Sequence, residues 1–528
     1  VDKFEYESTM FRSLASSLLT FFAVLLFAFT VLFLWSGSEG INFNRTEMDG
    51  DRSTIGILEE RRRQLERQRD MVDMSPTTAT DEPEPVDMNS GDGPPVVVWI
   101  SIPGFRGDYI EKSETPFFDQ LTSDGASTNK MRPSFPSLTF PAHTTMATGR
   151  LPGEHGIVAD KIRTGPGEVV DNPTDPTLLL AEPIWTTATR QGIKTIVHDW
   201  PLSQNQTGDN VAADFLTEFN PALTDEERLN AALEAWRAVS SGGDAPVASL
   251  AADGDDAKAV DADADAPAGA AGAAGAAGAA GARSDKVRLV MLRLTDILNA
   301  GLANGPREDA TYEAITKTDA ALAKFHETVQ AEWKDLAPPA ANLIYFVSTD
   351  HGLAELDKNV NIAHLLGDEM MKNADIIAHD AIANLYFKDL PESEGEIKIF
   401  KEKFDGELGK RIYFRTYKKE ELPEDWKYSS DRTGDRVLVL KTGYAFADAK
   451  AAEPVYDPTE GPGYFGGFGY PVEESIRMSG QFIIAGYPDS PATGSLDEIG
   501  QLSFHATVCK MLGIDPAEGA VTDTLPVD

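Results

Sequence analysis

The side chains that could do chemistry gather in a few short segments. Ser101-Ile-Pro-Gly-Phe-Arg-Gly-Asp-Tyr109 and Ser348-Thr-Asp-His-Gly352 each follow a run of large apolar residues, and Arg132-Pro-Ser-Phe-Pro-Ser-Leu-Thr-Phe-Pro-Ala-His143 lies between them. Together they hold hydroxyl, carboxylate and imidazole groups, the types used in proton transfer and metal-assisted hydrolysis. The first and last segments fall at the ends of strand-like runs. In an open α/β sheet, ligands bind beyond the carboxyl ends of the strands.

Those positions need a scaffold. Pro95-Val-Val-Val-Trp-Ile-Ser101 has the composition of a central buried strand, and similar runs occupy residues 194–198, 287–294, 342–348 and 481–485. Helical patterns separate them at 115–124, 226–240 and 310–332. This alternation predicts an α/β class with a mostly parallel central sheet and helices on both faces. Residues 242–283, an Asp/Ala stretch followed by Gly-Ala-Ala triplets, lack bulky side chains and read as a flexible insertion in a domain spanning 95–528.

Several ordered motifs resemble the nucleotide pyrophosphatase/phosphodiesterase family of the alkaline phosphatase superfamily. Ser101-Ile-Pro-Gly-Phe-Arg106 is similar to the family's Ser-x-Asp-Gly-Phe-Arg, and Thr148-Gly-Arg-Leu-Pro-Gly-Glu-His-Gly-Ile157 to its Thr-Gly-x-x-Pro-x-x-His-Gly-Ile. Glu182-Pro-Ile-Trp185 with Trp200-Pro201 resembles a further family stretch. The resemblance runs from about Val96 to Gly513 and implies an alkaline-phosphatase-like fold. It also implies two zinc ions and a threonine nucleophile that cleave phosphodiester or pyrophosphate bonds. Two such metals clamp the attacking and leaving oxygens and neutralise phosphoryl charge.

Carried over residue by residue, the resemblance keeps Thr139 as the nucleophile and Asp350 and His351 as ligands of one zinc, but puts Pro103 where that zinc's aspartate belongs. For the other zinc it keeps Asp296, with Ala300 and Phe468 at the two histidine positions. Ala142 stands where the family has an asparagine that donates to a phosphoryl oxygen. Asp108 is close to Pro103 in sequence but the family often has an acid there, so it is a poor substitute. The survivors also have structural readings. Thr139 and Asp296 would cap the helices that follow, and Asp350-His351 would hold the loop after a central strand. His143 and His155 read as structural, and His379 has no motif around it. The resulting expectation is a catalytically inactive phosphodiesterase-like protein with no cofactor, at most one metal. A single-metal phosphodiesterase using Thr139 and a non-catalytic nucleotide or lipid binder are the alternatives.

Composition sets the surroundings. With 47 basic and 85 acidic residues the formal charge is −38, which repels nucleic-acid phosphate. The one cysteine, Cys509, excludes an intrachain disulfide and reads as a core residue. Residues 14–35 form an uncharged apolar run long enough to cross a bilayer, after a tail at 1–13 and before a charged helix and linker at 36–94. The chain opens on Val1, which fits either a removed presequence or a longer chain. These features predict a single-pass protein that contacts lipid through 14–35 and serves as an accessory subunit of a membrane complex. The scarcity of cysteine points to the mitochondrial inner membrane ahead of the secretory pathway or plasma membrane. The sequons Asn44-Arg-Thr46 and Asn205-Gln-Thr207 bear on function only in a lumenal or extracellular setting.

Overall fold

The computed structural model describes residues 93–527 apart from 205–212, 214, 218, 243–285, 448–452 and 461–463. The apolar run at 14–35, both sequons, residues 36–92 of the linker and 243–283 of the insertion lie outside the described residues. Among the described residues no helix is long and apolar enough to cross a membrane.

The main sheet is built on β1 (Val96–Ser101), β2 (Ala126–Arg132), β3 (Lys194–His198), β4 (Phe215–Thr217), β5 (Val287–Arg293), β6 (Leu343–Ser348) and β7 (Gly480–Tyr487). Their order is β2-β7-β6-β1-β5-β3-β4, with short strands at Gly494–Ser495 and Ile499–Gly500 beside β2. Strands β6, β1, β5, β3 and β4 run parallel, as the alternation predicts. The sheet is nevertheless mixed, because β7 pairs antiparallel with both β6 and β2. The run at 481–485 has the composition of a buried strand, which does not disclose direction.

Strand periodicity explains the two covered faces. Val96, Val98 and Ile100 pack with α1 (Pro116–Asp124), α3 (Asp225–Ser240) and α5 (Asp309–Leu336). Val97 and Trp99 face the opposite side, among residues of α2 (Thr139–Thr148) and α7 (Phe504–Leu512). Cys509 sits in this second layer, and burial pushes its thiol up to about 12. A further body was not anticipated: four antiparallel strands, Ala374–His379, Ile382–Phe387, Phe414–Lys418 and Arg436–Leu440, with α6 (Glu394–Leu408) packed on them.

One buried carboxylate joins three elements at the ligand end. Asp225, at the start of α3, accepts from the Thr295 and Asp296 amides (2.7 and 3.2 Å) and from the Thr318 hydroxyl of α5 (2.6 Å). In turn Asp296, first residue of α4 (Asp296–Asn304), accepts from the Asp225 amide at 3.0 Å. Truncating Asp225 to alanine leaves buried donors without acceptors. The expected cost is about 2–4 kcal/mol, read as a lower urea midpoint with an unchanged slope.

Candidate active site

The site forms where β1, β5 and β6 end. After β1, the Phe105 amide donates to the Ile102 carbonyl at 3.3 Å, closing a turn with Pro103 second and Gly104 third at φ 71°. Proline presets the second position of such a turn, and glycine tolerates the left-handed third. The position that offers no donor atom to a metal therefore shapes the loop. That loop aims the Gly104 amide at Asp350 Oδ1, 3.2 Å away.

Asp350 and His351 follow β6 and are fully buried. Asp350 Oδ1 also accepts from the His351 amide at 2.6 Å. Its Oδ2 makes no hydrogen bond and lies 3.3 Å from His351 Nε2 and 3.7 Å from His143 Nδ1. Burial raises the Asp350 carboxyl above the ordinary range, against the opposing pull of His351 and the two amides. His351 Nδ1 bonds to the Gly352 carbonyl at 2.7 Å, which turns Nε2 toward Thr139. Gly352 is required because an added Cβ would collide with the Arg477 carbonyl.

Thr139 opens α2 but does not cap it. Leu138 holds the cap position, and the Thr139 hydroxyl instead lies 3.5 Å from His351 Nε2. His143, one turn on, bonds to the Thr139 carbonyl (2.7 Å) and the Ser101 hydroxyl (2.8 Å), and burial holds its pKa well below the usual value. It is a structural histidine, as is His155, whose Nδ1 accepts from the Ile157 amide at 3.1 Å.

The structure separates the other expected residues. Asp296 caps neither its own helix nor the cavity; Thr295 holds the cap position and the Asp296 carboxylate is committed to α3. Ala300 lies on the same helix, Ala142 is buried in α2, and Asp108 is engaged by Arg106 (2.9 Å) and Lys112 (2.6 Å). Phe468 stacks on the His351 ring at 4.2 Å between centroids and 10° between planes.

A cavity of about 560 Å³ opens beside Thr139, lined also by Asp160, Arg293, His379, Asp380 and Phe468. The sequence reading missed four of these. Asp160 lies three residues past the His155-Gly-Ile157 motif and its carboxylate accepts from the Phe140 amide at 2.7 Å, so extending that motif would have found it. Arg293, His379 and Asp380 carry no local signal; they reach the cavity through strand ends far apart in sequence.

The fold and these side chains define an alkaline-phosphatase-like α/β protein with Thr139 beside a polar cavity at the strand ends. The model of the type I phosphodiesterase / nucleotide pyrophosphatase family matches residues 97–465, and the chain belongs to that family. Mouse ectonucleotide pyrophosphatase/phosphodiesterase family member 1 is 24% identical over 441 residues, 81% of this chain and 41% of that protein. An uncharacterized pyrophosphatase/phosphodiesterase of Schizosaccharomyces pombe is 40% identical over 112 residues, 20% of this chain and 23% of that protein. The chain thus spans about two fifths of the mouse protein's length. Among solved structures, murine ectonucleotide pyrophosphatase/phosphodiesterase 5 is similar at TM-score 0.60 and 21% identity, covering 82% of this chain and 97% of that one. An inactive form of the same murine protein in complex with AMP is similar at TM-score 0.59 and 20% identity, covering 82% and 97%.

Two expectations change here. Membership overturns the expectation of no cofactor, because this is the family whose members use two zinc ions. Nor do the matches support a mitochondrial address; the relatives are ectonucleotide enzymes by name.

The residues can be tested against zinc directly. Among the described residues no cluster of three His, Cys, Asp or Glu side chains could hold a metal. Thr139 makes up the number. A tetrahedral zinc with bonds near 2.0–2.1 Å has ligand–ligand edges of about 3.3–3.4 Å. The observed separations are 3.3 Å for Asp350 Oδ2 to His351 Nε2 and 3.5 Å for His351 Nε2 to Thr139 Oγ1. With the unpartnered Asp350 oxygen, two of the three edges that a zinc held by these atoms needs are present.

On the opposite wall, His379 Nε2 lies 3.3 Å from Asp160 Oδ2. Burial disfavours the imidazolium, but Asp160, followed by Asp380, outweighs it and raises the His379 pKa above 6.5. A raised folded-state pKa stabilises fully below the unfolded value and loses its effect as pH rises through the folded one. His379→Gln is therefore expected to cost about 1–2 kcal/mol at pH 5.5 and progressively less toward pH 9. Urea unfolding of both proteins across that range measures the gap; a constant gap would mean that the imidazole acts as a neutral donor.

Proposed function

We propose that the chain is a phosphoryl-ligand-binding member of its family in which hydrolysis is lost or strongly reduced. The observation that carries the reading is Phe468 stacked flat on His351. An apolar ring closes that side of the site while the cavity beside Thr139 stays open. Ala300 adds no donor there, and Asp296 is spent on α3. A murine relative inactivated by a threonine-to-alanine substitution holds AMP, which makes a nucleoside monophosphate the natural ligand class to test.

Losing one preorganised donor to the phosphoryl group costs about 10²–10³ in rate. The expected result is saturable AMP binding by calorimetry, with turnover of a nitrophenyl phosphodiester more than about 10³-fold below mouse family member 1 assayed beside it. Turnover near that of the mouse protein, abolished by Thr139→Ala, would sink the proposal.

A second reading, slow zinc-assisted phosphodiester hydrolysis, is favoured by the unpartnered Asp350 oxygen beside His351 and Thr139. Bound zinc would lower the hydroxyl pKa of Thr139 and offset phosphoryl charge. The chain's own part is to hold that hydroxyl at the helix start and to fix the imidazole through the Gly352 carbonyl. Residual turnover that zinc restores after chelation, and that His351→Ala removes, identifies this case.

An accessory role in a membrane complex belongs to the same proposal, since a domain without turnover acts through what it binds. The full chain in detergent should co-migrate with a larger assembly on native gels; a monodisperse monomer at native concentration overturns that part.

A further inference from the structure

The cavity contains a cation whose hydrogen-bonding capacity is mostly unused. Arg293 is the last residue of β5, paired in register with Ser101 of β1, and only 7% exposed. Its Nη2 donates to Asp199 Oδ1 at 3.2 Å. Its Nε is buried and makes no hydrogen bond. The other Asp199 oxygen is taken by Arg228 at 2.5 Å, so one carboxylate serves two buried guanidiniums.

Arg228 likewise has a buried Nε without a hydrogen bond, but it does not line the cavity; it donates to the Asn220 carbonyl at 2.8 Å and feels Asp225 and Asp296 as well. Arg293 has its share of Asp199, a face-on contact with Phe219 4.6 Å from the ring centroid, and a longer-range attraction to the Asp350 carboxylate. Phe219 also lines the cavity. Asp199 itself sits at φ 60°, a left-handed conformation that an aspartate adopts at a cost and that positions its carboxylate between the two arginines.

We propose that Arg293 is the anion-holding residue of this cavity, taking the phosphoryl oxygens of a phosphate ester beside Thr139. The proposal rests on the reading that the cavity binds phosphoryl ligands. A guanidinium suits the role because it stays charged when buried and presents planar donors that match two phosphate oxygens. Its place in the chain fits: Arg293 precedes Asp296 by three residues, at the strand end from which the family draws a metal ligand. The stack on Phe219 and the bond to Asp199 hold the fork in place before a ligand arrives.

The test compares AMP with adenosine by calorimetry on the full chain and its Arg293→Gln and Arg293→Lys variants. Arg293→Gln should weaken AMP binding about 10- to 100-fold and leave adenosine binding unchanged. Arg293→Lys should fall between, since it keeps the charge and loses the fork. Retained adenosine binding with an unaltered melting profile shows that the variants fold; should Arg293→Gln not fold, the lysine variant carries the comparison. AMP affinity indifferent to both substitutions overturns the assignment of Arg293 alone. No AMP binding by the unmodified chain overturns the phosphoryl-ligand reading, and this assignment with it.

Discussion

The carboxylate of Asp350 is fully buried at the end of a central strand, and a buried charge must be compensated or the loops around it come apart. One of its oxygens is held by the amides of Gly104 and His351. This fixes the turn after β1 against the loop after β6. The other oxygen faces two imidazoles, one of which, His143, ties α2 back to Ser101. The position of Thr139, the orientation of His351 and the shape of the Pro103 turn all follow from satisfying this one group.

That constraint gives the site an ordered core. The turn that Pro103 stabilises delivers the Gly104 amide to Asp350. Phe468 packs its ring on His351, and its amide donates to Asp380 at 3.2 Å. Asp296 has passed into the scaffold through its exchange of hydrogen bonds with Asp225. The cavity beside them keeps its polar walls, with Arg293 on one side and the Asp160–His379 pair on the other.

Much of this was legible in the chain. The apolar runs at 96–101, 194–198, 287–293 and 343–348 are strands within a residue of their expected bounds, because continuous apolar stretches of that length suit only a doubly covered sheet. The motif residues Thr139, Asp350 and His351, far apart in sequence, lie beside one another. The antiparallel direction of β7 and the separate four-stranded sheet were not legible, because composition does not encode strand direction and short alternating runs give weak signals. Thr139 looked like a helix cap because threonine often is one. Only the packed loop shows that its hydroxyl turns toward His351 instead.

By itself the sequence determined the α/β layering and the family, since each depends on local pattern or ordered motifs. It could not determine what the altered positions do, because hydrogen-bond partners are set by distances between segments scores to hundreds of residues apart. Tertiary structure alone decided that Asp296 serves α3, that Phe468 covers His351, and that Arg293 and His379 face one cavity. The physical reason is that a side chain's role follows from its burial and its neighbours, and both exist only once the sheet has brought its strand ends together.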